Sequence, residues 1–222
     1  MPHSSAPAQP EESSAARDLI VASANLGKLR EFRALFAGLP FKLTSLAERG
    51  LPSPAETGSS FVANALLKAR HAARLSGSAA VADDSGIEVP ILGGVPGILS
   101  ARYAGVDGDD AANNAKLMRA LDGVPPDRRG ARYRCALVFL AAEDAVPLVT
   151  EASWEGVLLE TPRGSGGFGY DPYFWLPELQ KTAAELSPEQ KNRLSHRGQA
   201  MQALRAALRR RFGELRASEG ER

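Results

Sequence analysis

The sequence is poor in several features that would assign a protein quickly. It has one cysteine, Cys135, so an intrachain disulfide is impossible and a cysteine-built zinc site is not expected. That thiol usage fits a reducing, cytoplasmic compartment. No window approaches the ~20 continuous apolar residues that a bilayer crossing needs. The first residues lack both a basic segment and an apolar run, so they do not read as a secretory signal. Neither charge is in excess: 27 Lys+Arg stand against 26 Asp+Glu, a formal charge of +1. This balance argues against a nucleic-acid or membrane-surface partner, and any anionic ligand has to be held by a local cluster. The sequence has no internal repeats and no Walker A loop.

What is present is globular. A chain of 222 residues, 44% of them hydrophobic, is enough for one domain, or one domain of two lobes, with a sizeable core. Residues 1–17 are rich in Ser, Ala, Pro and Glu and read as a disordered leader, with His3 functionless inside it. Residues 18–215 read as a single domain, and 216–222 as a frayed tail.

Within the domain, runs at 18–24 and 41–46 predict strands. Between them a helix is predicted over 26–39, where Leu29, Phe32, Leu35 or Phe36, and Leu39 share a face. Pro and Gly mark a loop at 51–58. A helix over 59–77 starts on serine and stops on glycine. Two strands, 79–83 and 86–92, flank Asp83 and Asp84. A loop at 93–105 leads to a helix over 109–123 capped by Asp109. Two longer strands follow at 131–142 and 146–160. Alternation turns Tyr133, Cys135, Leu137 and Phe139 to one face, which makes Cys135 a core residue rather than a nucleophile. A glycine-rich loop, 161–172, precedes a short strand at 173–177. Ser187, Pro188 and Gln190 form an N-cap, an N1 proline and a capping box. The helical region they open runs to about Leu215, with Leu194, Met201, Leu204, Leu208 and Phe212 as its apolar stripe. This order predicts an α/β fold with a mixed, twisted central sheet flanked by helices.

Four clusters have chemical content. Ser23, Ala24, Asn25, Leu26, Gly27 and Lys28 lie between a strand and a helix, where free N–H groups and a lysine favour anions. Asn64, Lys68 and His71 share one helix face, with Glu56 just before that helix; a solvated face is the plain alternative, and His71 belongs to it. Asp83, Asp84 and Ser85 read alone as either a polar turn or a metal and base site. With Glu56 they supply the hard oxygen ligands that suit Mg²⁺ beside a phosphate, and close carboxylates raise the pKa of one of them. Finally, Phe168, Gly169, Tyr170 and Asp171 form a glycine-flanked aromatic group. Lys191, His196 and Arg197 follow, the last two at the start of a fresh helix turn capped by Ser195. Aromatic faces stack on bases, and these donors can read a carbonyl oxygen.

The segments "ASANLGKLREF", "ETGSSFVANALLKAR", "ADDSGIEV", "GGVPGILSARYAG", "GGFGYDPYF", "KTAAELSPEQKN" and "SHRGQA" occur in an order that closely resembles the inosine triphosphate pyrophosphatase family, over roughly residues 18–210. The resemblance implies Mg²⁺-dependent hydrolysis of ITP, dITP and XTP to monophosphate and pyrophosphate, cleansing the nucleotide pool. It also implies an elongated fold with the site in a cleft between two lobes, and a homodimer. Carried over by position, residues 23–28 bind the triphosphate with Lys68 assisting. Glu56 and Asp84 hold the metal. Asp84 is the proton acceptor, with Asp83 tuning it. Ser85 touches substrate, and Phe168, Gly169, Tyr170, Asp171, Lys191, His196 and Arg197 hold the base. A pyrophosphatase for other modified nucleotides and a non-catalytic nucleotide-binding protein are the alternatives.

Overall fold

A computed structural model describes residues 17–23 and 25–219, with side chains described as far as Arg211. The expected leader apart from Arg17, the triphosphate-loop residue Ala24, the side chain of Phe212 and the last three residues lie outside the described residues.

The strands are β1 (Arg17–Val21), β2 (Phe41–Ser45), β3 (Ala79–Glu88), β4 (Gly130–Leu140), β5 (Leu148–Leu158), β6 (Phe174–Leu176) and β7 (Lys181–Thr182). They make one open sheet in the order β2-β1-β3-β4-β5-β6-β7. β1 pairs in parallel with β2 and β3, and every later pairing is antiparallel. The helices are α1 (Leu26–Phe36), α2 (Phe61–Ser76), α3 (Asp110–Ala120), α4 (Pro188–Leu194) and α5 (His196–Glu219). The parallel part follows from α1 and α2 acting as crossovers, and the antiparallel part from the β4–β5 hairpin. The α/β class with a mixed sheet is as the sequence predicts.

Helix ends obey the local chemistry. Ser60 Oγ accepts from Ala63 N at 3.1 Å, and Gly77 closes α2 at φ 63. Asp109 Oδ1 accepts from Ala112 N at 2.9 Å. Ser187 and Gln190 form both bonds of a capping box. Each such cap contributes about 1 kcal/mol.

The side-chain period of two divides the core. Leu19, Val21, Val81, Cys135, Leu137 and Phe139 face α1 and α5, where Phe32, Phe36, Met201, Leu204 and Leu208 pack. Ile20, Ala80, Ala82 and Val138 face α2. That helix presents Ala65, Ala69, Ala72 and Ala73, and these small side chains let it approach the sheet closely. A third cluster, around Ile87, Leu117, Tyr133, Tyr170 and Phe174, lies toward the other end of β3 and β4. No helix among the described residues is long and apolar enough to cross a membrane.

Four local expectations change. The segment around Asp83 and Asp84 is not a turn between two strands; β3 runs unbroken through both. At Pro90 the ring removes a ladder donor, and Pro90–Leu92 forms a 3₁₀ turn instead of strand. Within the expected loop, Gly97–Arg102 also forms a 3₁₀ turn. The first helix stops at Phe36, short of Leu39. β7, of two residues, had no signal.

Candidate active site

The site begins with β3. Adjacent strand residues point to opposite faces, so the two aspartates part company. Asp83 faces α1 and α5, and Asp84 faces α2. Pairing with β4 continues through both, Asp83 opposite Leu137 and Asp84 opposite Ala136. Buried charge survives in a strand only when paired, and both carboxylates are paired.

Asp83 is fully buried. Its Oδ2 receives Lys28 Nζ at 3.0 Å, Arg197 Nη2 at 3.0 Å and Ser85 Oγ at 3.2 Å. Burial works against its ionisation, but Lys28, Arg197 and Lys68 outweigh it and hold the carboxyl far below the usual aspartate range. Asp84 behaves differently. Lys68 Nζ reaches its Oδ1 at 2.9 Å, and Asn64 Nδ2 its Oδ2 at 3.1 Å. Burial raises this carboxyl; Lys68 and Lys28 pull it down, Glu56 adds to the rise, and the net shift is upward. Glu56 is an acid that acts on Asp84 in this direction, and the charge of Asp83 acts on Lys68, which pairs with Asp84. Asp83, the expected tuner, is turned to the other face of the sheet.

Lys68 joins the two acids, with Nζ 2.6 Å from Glu56 Oε1 and 2.9 Å from Asp84 Oδ1. It is buried, and Asp84, Asp83 and Glu56 overcome that burial to raise its pKa. Asn64 is fully buried and bridges Asp84 to Gly58 N at 2.7 Å. The helix face that could have been solvated is thus turned inward at Asn64 and Lys68. His71, by contrast, is half-buried and lies 2.8 Å from the Pro52 carbonyl, away from the two acids.

On the α1 side, Asn25 Oδ1 accepts from Lys28 N at 3.0 Å and caps the helix. Ser23 Oγ accepts from Asn25 N at 3.2 Å. Gly27 is covered by Phe168, whose Cδ1 would lie 2.6 Å from any added Cβ. Leu26 points outward and is 70% exposed, since it opens the helix on its solvent side.

The aromatic wall is held by Asp171. It accepts from Phe168 N at 2.9 Å, Lys191 Nζ at 2.6 Å and Tyr133 Oη at 3.2 Å. Tyr170 is buried and donates to Ser100 O at 2.8 Å. The Phe168 ring lies 4.4 Å from Lys191 Nζ and 5.7 Å from the Arg197 guanidinium carbon. Ser195 breaks α4 from α5, as expected, which brings His196 and Arg197 into the first turn of α5. His196 stacks on Tyr133 with centroids 4.6 Å apart. Burial keeps its imidazole well below its ordinary pKa, so it is neutral at pH 7. Arg197 donates to Asp83, Glu31 and Ser85.

These groups line one cleft of about 640 Å³, a common size for a small-molecule site. Ser23, Asn25, Lys28, Glu56, Lys68, Asp84 and Ser85 are at its walls. So are Phe168, Gly169, Tyr170, Asp171, Lys191, His196 and Arg197. Cys135 is buried, and its thiol is pushed up to about 12 by that burial, so it is core as predicted.

Sequence reasoning missed Glu31, Arg102 and Tyr133. Glu31 bridges Arg197 and Lys191, the latter at 3.1 Å. Arg102 Nη1 lies 2.7 Å from Glu56 Oε2. In the sequence the first two read as surface charges, and no local pattern separates them from the exposed Arg30 and Arg33.

Residues 19–207 match the Ham1 family. The chain is 55% identical over 194 residues to a dITP/XTP pyrophosphatase of Methylococcus capsulatus, covering 87% of this chain and 96% of that protein. It is 50% identical over 192 residues to a dITP/XTP pyrophosphatase of Escherichia coli O157:H7, covering 86% and 98%. A solved HAM1 protein from Coxiella burnetii superposes with a TM-score of 0.79 at 42% identity, over 86% of this chain and 98% of that one. The Staphylococcus aureus Ham1 protein gives 0.76 at 37% identity, over 93% and 100%.

Proposed function

The chain belongs to the Ham1 family, and from that premise we propose that it hydrolyses deaminated purine nucleoside triphosphates, dITP, ITP and XTP, to the monophosphate and pyrophosphate. The observation that carries this reading is the union, in one cleft, of the Glu56–Lys68–Asp84 group with the wall of Phe168, Asp171, Lys191 and His196. The first suits phosphates and the second suits a base.

Mg²⁺ is the cofactor that the resemblance implies, and the donor set fits it. Each cation at the phosphate end is already committed to a carboxylate: Lys28 to Asp83, Lys68 to Glu56 and Asp84, and Arg102 to Glu56. A triphosphate therefore brings uncompensated negative charge. No group of three or more His, Cys, Asp or Glu side chains forms a closed cage among the described residues. Two carboxylates, Glu56 and Asp84, suit an ion that keeps waters and takes its other ligands from phosphate. When bound, Mg²⁺ would neutralise charge on the leaving pyrophosphate.

The chain's own residues divide the remaining work. Asp84, buried with its pKa raised, is suited to take the proton of a water attacking the α-phosphorus. Asp83 keeps its charge and stays out of the cleft, anchoring Lys28 and Arg197. Lys28 and Lys68 stabilise the phosphate oxygens as charge develops. Phe168 and Tyr170 provide the base platform. Lys191, His196 and Arg197 read the carbonyl at the purine 6-position, where adenine carries a donor instead. The neutral His196 can donate there without bringing charge into a buried site. A site built on such a hydrogen bond discriminates by ~10⁴ or more.

A homodimer is the proposed assembly, checked by light scattering, and the cytoplasm is the proposed location, in keeping with one buried thiol. The functional test is one assay of ITP, XTP, GTP and ATP with Mg²⁺ that resolves pyrophosphate from orthophosphate. Pyrophosphate from ITP and XTP is expected; orthophosphate release, or equal turnover of ATP, would overturn the reading.

A further inference from the structure

We propose that Arg102 is a phosphate-binding residue of this cleft, held in readiness by Glu56 and taking the terminal phosphates that leave as pyrophosphate. This rests on the reading of the cleft as a triphosphate site.

The 3₁₀ turn ending at Arg102 is fixed tightly to β3. A Cβ on Gly86 would lie 2.3 Å from Gly97 O, so only glycine lets the turn sit that close. Ser100 Oγ then accepts from Ile87 N at 2.9 Å and donates to Gly97 O at 2.6 Å. The base of the Arg102 side chain is therefore rigidly placed on the cleft wall. Its tip is one carboxylate away from Lys68, because Glu56 receives Arg102 on Oε2 at 2.7 Å and Lys68 on Oε1 at 2.6 Å.

Arg102 differs from its charged neighbours in how little of it is committed. An arginine has five N–H donors. Arg102 makes one short bond through Nη1 and a marginal one of 3.5 Å from Nη2 to Glu56 O. Its side chain is 29% exposed, against 14% for Lys28, 9% for Lys68 and 2% for Arg197. Arg197 is enclosed by Glu31, Asp83 and Ser85. Among these cations Arg102 has the most donor capacity left and the most access to a ligand. A planar fork of donors suits a phosphate group better than an ammonium does.

The rival role is structural, with Arg102 merely holding Glu56. Arg102→Gln keeps a hydrogen-bond donor for Glu56 and removes the charge; Arg102→Lys keeps the charge and removes the fork. Calorimetry with Mg²⁺ present, using pyrophosphate and inosine monophosphate separately, distinguishes the roles. Arg102→Gln is expected to weaken pyrophosphate binding by about tenfold to a hundredfold, the scale of lost charge-assisted bonds, and to leave inosine monophosphate unchanged. Arg102→Lys should recover part of the loss. Unchanged pyrophosphate affinity overturns the proposal, and so does an equal loss for both ligands. If Arg102→Gln fails to fold, Arg102→Met takes its place with the same two ligands, and unchanged pyrophosphate affinity there overturns the proposal. Orthophosphate release by the wild-type protein would sink the functional reading, whereas the split between the two ligands is read independently of turnover.

Discussion

Asp83 and Asp84 are consecutive in the chain, yet Asp83 is clasped by Lys28 and Arg197 on one face of the sheet and Asp84 by Lys68 and Asn64 on the other. The two substitutions to asparagine should therefore fail in different ways. Asp84→Asn is expected to fold and to lose at least ~10²-fold in kcat, the scale of a positioned acid or base. Asp83→Asn takes the carboxylate from the half-buried Lys28 and from the buried Arg197, which keeps Glu31 and Ser85, and should lose about 3 kcal/mol of stability. Steady-state kinetics and urea unfolding of both variants separate these outcomes. Wild-type turnover in Asp84→Asn would remove Asp84 from the chemistry.

His196 should make the protein acid-sensitive. Its imidazole is held well below 6.5 by burial, so below about pH 6.5 the unfolded chain takes up a proton that the folded one refuses. The contribution is complete above that pH and is lost as pH falls, by up to about 1.4 kcal/mol per unit. His196→Gln should flatten this part of the stability profile between about pH 6.5 and 5. Urea midpoints across that range measure it, and parallel profiles for the two proteins would rule His196 out as the source.

Gly198 marks a close crossing between α4 and α5. A Cβ there would stand 1.9 Å from Asn192 O, a backbone atom with little room to yield. Gly198→Ala should cost about 1–3 kcal/mol through overpacking. Because His196 and Arg197 belong to the same turn, kcat/KM for ITP should fall as well. An unchanged melting temperature would show that the helices can separate freely.

Ser187→Ala removes one bond of the capping box on α4, Gln190 N to Ser187 Oγ at 3.2 Å. A loss of about 1 kcal/mol is expected. Ser187→Asp should restore most of it, since aspartate caps equally well. Thermal unfolding of the pair tests this.

The sequence announces those parts of the fold whose chemistry is local. Ser60 and Gly77 bracket α2, and Ser187 with Gln190 opens α4, because a cap needs only residues three or four positions away. The alternation in β4 likewise identifies Cys135 as core. The continuity of β3 was hidden, because aspartate is rare in strands and its compensation comes from afar. Arg197 is 114 positions from Asp83, and Glu31 is 166 from Arg197. Glu31 and Arg102 were invisible as site residues for the same reason: burial and ion pairing are properties of the folded neighbourhood. The resemblance named most residues that line the cleft, but it left open which aspartate faces which partner.

The unbroken ladder between β3 and β4, from Ala80 opposite Leu140 to Glu88 opposite Arg132, makes reading frame a part of the active site. Shifting a strand by one residue exchanges its faces. One residue inserted before Asp83 within β3 would bring Asp84 to Arg197 and turn Asp83 toward Lys68, with every side chain still present. The chain can vary the length of its surface loops, but in this strand the count of residues is as binding as their identity.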